Sequence, residues 1–223
     1  MVARRTAARR AVTVAGAVGE VLGRAFGAAA RARRDKPLHP RGSVTEARLL
    51  RYGADRPWGV PLLDTAGESR CLVRVSRAMG LPPPLPDIQG VALRVEEDGE
   101  PVDLLFATTG TGRLSRYVLL LRRSPRAPMT TLIPLRTPRG PLQLRLSPGP
   151  AGQWLLGAAA PASQQWETVG RVDAPPDPGD DRPIRFDPIR HLPAGAIHYP
   201  WVRAVRDPAY VHARRRAAAQ GTR

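Results

Sequence analysis

The feature that most constrains the fold is a series of short apolar segments separated by turn-forming residues. The chain has 223 residues, of which 25 are Pro and 21 are Gly. That turn content favours many short strands over long helices. About eight strand-like segments, beginning near residue 70, follow one another at the regular spacing that a barrel or sandwich needs. The sequence therefore predicts a mainly β, antiparallel core.

The segment RCLVRVSR, residues 70–77, shows the clearest alternation of side chains. Side chains alternate between the two faces of a strand. One face should therefore carry Cys71, Val73 and Val75, and the other Leu72, Arg74 and Ser76. We expect Arg74 and Ser76 to point inward together.

Several other segments add elements to this core. Residues 96–108 predict a hairpin because a Gly-containing turn separates two apolar stretches. A short strand is expected at 46–52, and RYVLLLRR at 116–123 and PIRFDP at 183–188 also read as strands. Residues 55–69 are rich in Pro, Gly and Asp and predict a loop.

The two ends of the chain predict helices. Apolar residues recur at helical spacing within 11–34, and a second helix is expected from residue 201. The prediction is a basic arm and helix over 1–34, one β-domain with its C-terminal helix over 35–216, and a tail over 217–223.

The charge is strongly positive but concentrated at the ends. The formal net charge is +16, and Lys36 is the only lysine among 35 basic residues. Most of the excess lies in 1–34 and 201–223, so solvated basic tails are favoured over specific nucleic-acid binding. A lone cysteine excludes a disulfide framework within the chain. No apolar run is long enough for a membrane span, and we expect a cytoplasmic protein.

Five segments, taken in order, resemble the catalase superfamily. They are KPLHPRG with His39, LVRVS with Arg74 and Ser76, PDIQGVALRV with Asp87, Gly90 and Ala92, EEDGEPVDLL with Gly99, Asp103 and Leu104, and finally Arg206 with Tyr210. A later segment, IRFDPIRHLP, is similar to a family strand that carries Phe-Asp. The resemblance implies a catalase-like antiparallel β-barrel with N- and C-terminal helices, and a bound haem.

The resemblance assigns Tyr210 as the axial ligand of the haem iron. Arg206 lies four residues earlier, and on a helix positions i and i+4 share a face. A guanidinium there favours the phenolate, the form that binds ferric iron. The haem propionates would be bound by arginines and a lysine, with Arg74 foremost, then Lys36 and Arg214 or one of its two neighbours.

On the other side of the haem, the resemblance places His39 as the distal acid and base. Ser76 would orient its imidazole through a hydrogen bond. Catalases carry a pair of asparagines after their Asp-Leu-Val run, and here Ala107 and Thr108 stand in those positions. Thr108 is therefore the third candidate catalytic residue, as a hydroxyl in place of an amide.

The function implied is that of a weak peroxidase or hydroperoxide-metabolising enzyme acting on peroxide or an organic hydroperoxide. Two alternatives stay open. One is a barrel that has lost haem and serves as a non-catalytic binding domain, and the other is a basic protein associated with nucleic acid. Asp87 and Asp103 are expected to be structural, and a homo-oligomer is possible.

Overall fold

The computed structural model describes residues 42–175, 179–182 and 184–202. Nine strands run in chain order through these residues, with a short helix, α1, between the first two and two 3₁₀ turns later. The strands are β1 (Gly42–Arg51), β2 (Gly67–Arg77), β3 (Gln89–Glu97), β4 (Glu100–Thr108), β5 (Met129–Thr130), β6 (Leu135–Thr137), β7 (Gly140–Pro148), β8 (Trp154–Ala159) and β9 (Glu167–Asp173). The helix α1 is Pro61–Asp64, and the 3₁₀ turns are Ser115–Tyr117 and Pro150–Gly152.

Eight of these strands close into an antiparallel barrel. Their order is β5-β4-β3-β2-β1-β9-β8-β7, and the ring is completed because β5 pairs with both β4 and β7. The sixth strand pairs with β7 alone and lies outside the ring. The predicted mainly β, antiparallel barrel is confirmed for the part of the chain that the structure describes.

Alternation along the strands fills the barrel. Cys71 and Val73 of β2 are buried beside Leu93 of β3, and Ala47 of β1 and Leu104 of β4 join the same apolar cluster through the strand register. Burying a side chain of this size contributes about 1.5–3 kcal/mol. The interior is therefore a packed, largely apolar core.

The hairpin predicted at residues 96–108 is present as β3 and β4. Its two-residue turn has positive φ at both positions, 52° at Asp98 and 83° at Gly99. An Asp-Gly pair is the common solution for this turn, because its twist matches that of the strands. The strand predicted at 46–52 is also present, although β1 begins earlier, at Gly42.

Two strand predictions are wrong. Residues 116–123 form a 3₁₀ turn and then an extended stretch that makes only single bridges, from Leu119 to Thr109 and from Arg122 to Asp87. Among the described residues of 183–188 there is no strand; this stretch packs on the outside of the barrel instead. The predicted loop at 55–69 also contains α1 and the first residues of β2.

The ends of the chain fall largely outside the described residues. The predicted helix at 11–34 lies entirely outside them. Of the helix predicted from residue 201, a helical turn at residues 200–202 is described. Within the described ranges, no helix has both the length and the apolarity that a bilayer crossing demands.

Candidate functional site

The outer surface of β1–β4 carries a row of small residues. Register pairs Gly42 with Ser76, Ser76 with Gly90 and Gly90 with Ala107, so these four lie side by side across four strands. Neighbouring strands are about 4.8 Å apart, so the row is about 14 Å wide. None of the four has a side chain larger than a hydroxymethyl group, so this part of the wall is level, and Ser76 and Gly90 within it are buried. We call it the small-residue row.

The next row along the same face contains Arg74. Its register partners are Val44 on β1 and Ala92 on β3. The Arg74 side chain is 15% exposed and its guanidinium is 3.9 Å from the carboxylate of Asp181. A Cβ on Gly42 would come within 2.8 Å of the guanidinium carbon, so Arg74 lies across that glycine. A cation therefore lies at the edge of the small-residue row.

A third row marks the far boundary of this face. Arg94 and Asp103 pair across β3 and β4, and Asp103 also accepts hydrogen bonds from the backbone of Asp187 and from Nδ1 of His191. Arg94 in turn donates to the carbonyl of Arg185. The described residues between 184 and 191 therefore cover this end of the wall. Asp103 holds them there through its hydrogen bonds, which agrees with the structural role predicted for it.

Arg74 and Ser76 share one face of β2, as the alternation predicts. The inward orientation expected for them is wrong, because the inner face carries Cys71 and Val73. The two polar side chains lie on the outer wall instead, and Ser76 is 7% exposed there. The sequence contained the signal: the more apolar side of an alternating strand is the side that packs into the core.

Thr108 lies apart from these two residues. Its register partner is Met129, which belongs to the core, so Thr108 is on the inner side of the wall and Ala107 faces outward. The Thr108 hydroxyl accepts a hydrogen bond from the backbone of Gln89 at 3.1 Å and donates to the carbonyl of Leu120 at 2.7 Å. The geometry supports a bracing role, and the predicted catalytic role stays a prediction.

The other predicted site residues lie outside the described residues. They are Lys36, His39, Arg206, Tyr210 and Arg214. In the described ranges, no three His, Cys, Asp or Glu side chains are close enough together to hold a metal ion.

Two members of the small-residue row were missed by sequence reasoning. Gly42 precedes the strand expected at 46–52, and Ala107 was considered only as a replacement for an asparagine. Gly90 was the one sign of this row in the sequence, because a glycine within a strand often marks a close approach by a ligand or another backbone. The row becomes visible only when register aligns the four strands.

Asp87 is buried at the edge of the same wall. Its carboxylate accepts backbone hydrogen bonds from Met79 at 3.0 Å and from Leu81 at 3.1 Å. The Arg77 guanidinium lies 3.7 Å away. Asp87 thus fixes the turn before β3, which is the structural role predicted for it.

Comparisons with known proteins found a solved structure with a similar fold but no matching protein family. No protein-family model matches the sequence, and no curated protein matches it either. Among solved structures, the chain is similar to a fungal catalase with a TM-score of 0.52 and 12% sequence identity. The likeness covers 78% of this chain and 58% of that catalase, so the chain spans little more than half of its length. At this identity the likeness establishes a catalase-like fold.

The described residues fit one edge of a haem site. A flat macrocycle would need a level surface such as the small-residue row, and its carboxylate groups would need a cation such as Arg74, which also lies 3.9 Å from Asp181. Larger side chains at Gly42 or Gly90 would raise the surface and prevent such an approach.

Proposed function

We propose that this chain binds haem against the outer face of β1–β4 and uses it to react with a hydroperoxide. The observation that carries the proposal is the small-residue row itself, with Ser76 within it and Arg74 at its edge. The catalase-like fold supports it, because a barrel wall of this kind is what the resemblance requires. The substrate class would be hydrogen peroxide or an organic hydroperoxide.

The haem would be held by residues from both ends of the chain. Tyr210 would ligate the iron as phenolate, and Arg206 would favour that charged form. Arg74 would bind a propionate through its planar fork of N–H donors, with Lys36 and Arg214 as further cations. Bound in this way, a ferric haem supplies the iron chemistry that cleaves an oxygen–oxygen bond.

The protein's own part in the reaction would be proton transfer. The imidazole of His39 would accept the proton of the hydroperoxide and return it to the departing oxygen. Ser76 would orient that imidazole by a hydrogen bond, which fixes the nitrogen that carries the proton. Thr108 faces the inner side of the wall, so any part in the reaction would be indirect, through its hydrogen bonds to Gln89 and Leu120.

Reconstitution with hemin tests the proposal. The full chain should bind one equivalent of hemin and give a Soret band with a high-spin ferric spectrum. Tyr210→Phe should abolish that spectrum while circular dichroism shows an intact fold. A colourless wild type that takes up no hemin would count against the proposal, and an unchanged spectrum for Tyr210→Phe would overturn the ligand assignment.

A second candidate function is binding without catalysis. The observation that favours it is at Ala107, where a methyl group faces outward and the neighbouring Thr108 hydroxyl is engaged by two backbone groups. A distal side that lacks the amide found in catalases would activate peroxide poorly. Haem uptake without measurable peroxide turnover would favour this candidate, and turnover that His39→Ala abolishes would exclude it.

A further inference from the structure

On the opposite wall of the barrel, Trp166 is contacted by two guanidinium groups. The guanidinium carbon of Arg116 is 4.7 Å from the centre of the indole ring, and that of Arg145 is 4.5 Å away. A Cβ on Gly157 would lie 3.5 Å from the ring and 3.8 Å from Nε of Arg145, so a bare glycine adjoins both groups. Two like charges therefore share one aromatic ring.

Arg116 is fully buried, on the 3₁₀ turn Ser115–Tyr117. Its guanidinium donates to the carbonyl of Ser163 at 2.7 Å and, over a longer 3.4 Å, to that of Gly112. The remaining nitrogen, Nη1, is buried and has no hydrogen-bond partner among the described residues. Both partners are neutral carbonyls, so neither cancels the charge.

Arg145 lies on the outer face of β7, directly opposite Thr130 of β5. Its Nε is buried and lacks a hydrogen-bond partner in the described ranges. Two residues earlier on the same face, Gln143 is fully buried, and neither its amide oxygen nor its amide nitrogen has a partner there. Unsatisfied polar atoms of these three side chains thus lie at Trp166 and on the adjacent outer face of β7.

The charges of the two arginines are poorly compensated. Within the described residues, no ion pair includes Arg116 or Arg145. Burial lowers the pKa of Arg116, and burial together with the nearby charge of Arg116 lowers the pKa of Arg145. Buried charges in proteins are ordinarily paired, and a buried polar group without a partner requires an explanation such as a bound ion.

We propose that Arg116, Arg145 and Gln143 form a binding site for a small oxyanion, a phosphate or carboxylate group, beside Trp166. Guanidinium groups present planar forks of donors that match such oxygens, and the Gln143 amide adds a neutral donor. Arg145 and Trp166 are half-buried, so the site lies just beneath the outer surface of β7 and outside the barrel core. It is on the opposite wall from the small-residue row and does not depend on the proposed haem.

The chain contains a matched control in Arg126. That guanidinium also stacks on an indole, 4.4 Å from the ring of Trp154. Its nitrogens, however, donate to three carbonyls, those of Gly149, Gly152 and Gln153, at 3.4, 2.6 and 2.6 Å. Like Arg145→Gln, Arg126→Gln removes one positive charge and one contact with an indole ring. The N–H donors of Arg126, however, are already hydrogen-bonded to backbone carbonyls.

Titration calorimetry of the full chain with inorganic phosphate, at constant ionic strength, tests the site. Arg145→Gln should weaken phosphate binding at least tenfold, whereas Arg126→Gln should leave it unchanged. The comparison cancels non-specific attraction to this basic chain, since both variants lose one charge. A parallel titration with acetate distinguishes a site for phosphate groups from one for carboxylates. Equal phosphate binding by wild type and Arg145→Gln would overturn the proposal.

A second measurement needs no variant, in case Arg145→Gln fails to fold. The Nε–H signals of arginines can be followed by ¹H–¹⁵N NMR during the same phosphate titration. Those of Arg116 and Arg145 should shift together and saturate, while that of Arg126 stays in place. Signals of all arginines that move in proportion to added salt would show general screening only and would contradict a specific site.

Discussion

Arg94 and Asp103 face each other across the β3–β4 hairpin and form a bidentate pair, with N–O distances of 2.7 and 2.8 Å. The Asp103 side chain has no exposed surface, and its hydrogen bond raises the pKa of Arg94. The same carboxylate accepts hydrogen bonds from the backbone of Asp187 and from His191. One buried charge thus attaches the late part of the chain to the barrel wall.

Asp103→Asn should therefore be strongly destabilising. Removing one partner of a buried pair costs about 3–5 kcal/mol, and we expect about 3 kcal/mol because Arg94 keeps some access to solvent. Urea denaturation measures the change. Glu68→Gln is the control, since its pair with Arg48 is exposed and should contribute less than about 1 kcal/mol. Similar losses for both variants would contradict the role assigned to Asp103.

Thr108→Val should loosen the stretch that follows β4. The change leaves the backbone N–H of Gln89 and the carbonyl of Leu120 without their hydroxyl partner, at a cost of about 1–3 kcal/mol. Hydrogen exchange should accelerate at the Leu120 amide, which bonds to the Thr108 carbonyl. Thr168→Val, at an exposed strand position, is the comparison and should change neither stability nor exchange.

Cys71 should be unreactive in the folded protein. Burial raises the pKa of its thiol to about 12, so the nucleophilic thiolate is scarce at neutral pH. Iodoacetamide should label Cys71 only as fast as the protein unfolds. Rapid labelling under native conditions would show that the barrel interior at β2 is open.

The same burial predicts a pH dependence of stability. The unfolded thiol ionises near its ordinary value of 9.0 and the folded one only near 12. The stabilisation from a neutral buried thiol is thus fully present below about pH 8.5 and is lost as pH rises toward 12. The difference in unfolding free energy between wild type and Cys71→Ala should fall over that window, and a constant difference would contradict it.

His39→Ala should separate haem binding from chemistry. The proposal gives His39 a proton-transfer role and no part in holding the haem, so the Soret band should persist while turnover of hydroperoxide falls, by about 10²–10⁴-fold for a lost general acid–base. Stopped-flow absorbance measures both. Equal turnover by the variant would exclude His39 from the reaction.

Much of the barrel was predictable from local pattern. Alternation in β2 and the Asp98–Gly99 turn are properties of a few adjacent residues, and both appear as expected. The strand predicted at 116–123 does not form because an apolar run does not specify its partner. Val118 and Leu121 are half exposed, and among the described residues this stretch makes only two isolated bridges. Ring closure through β5, which pairs with β4 and β7 over only two residues, has no local signal.

The candidate site depends on register in the same way. Ser76 and Gly90 were identified from motifs, but their alignment with Gly42 and Ala107 follows from pairing across four strands. The two arginines at Trp166 were missed for a related reason. Arg116 and Arg145 are 29 positions apart in the printed sequence, and only the fold brings both guanidinium groups to Trp166.

The proposed haem lies against the small-residue row, so a bulky side chain placed in that row should block its binding. Ala107→Phe adds a ring to the row, and Pro101→Phe adds the same ring to the same face of β4, six residues away. Hemin titration followed at the Soret band should show tight binding by wild type and Pro101→Phe and at least tenfold weaker binding by Ala107→Phe. Undiminished binding by Ala107→Phe, with the fold intact, would place the haem elsewhere and contradict the account.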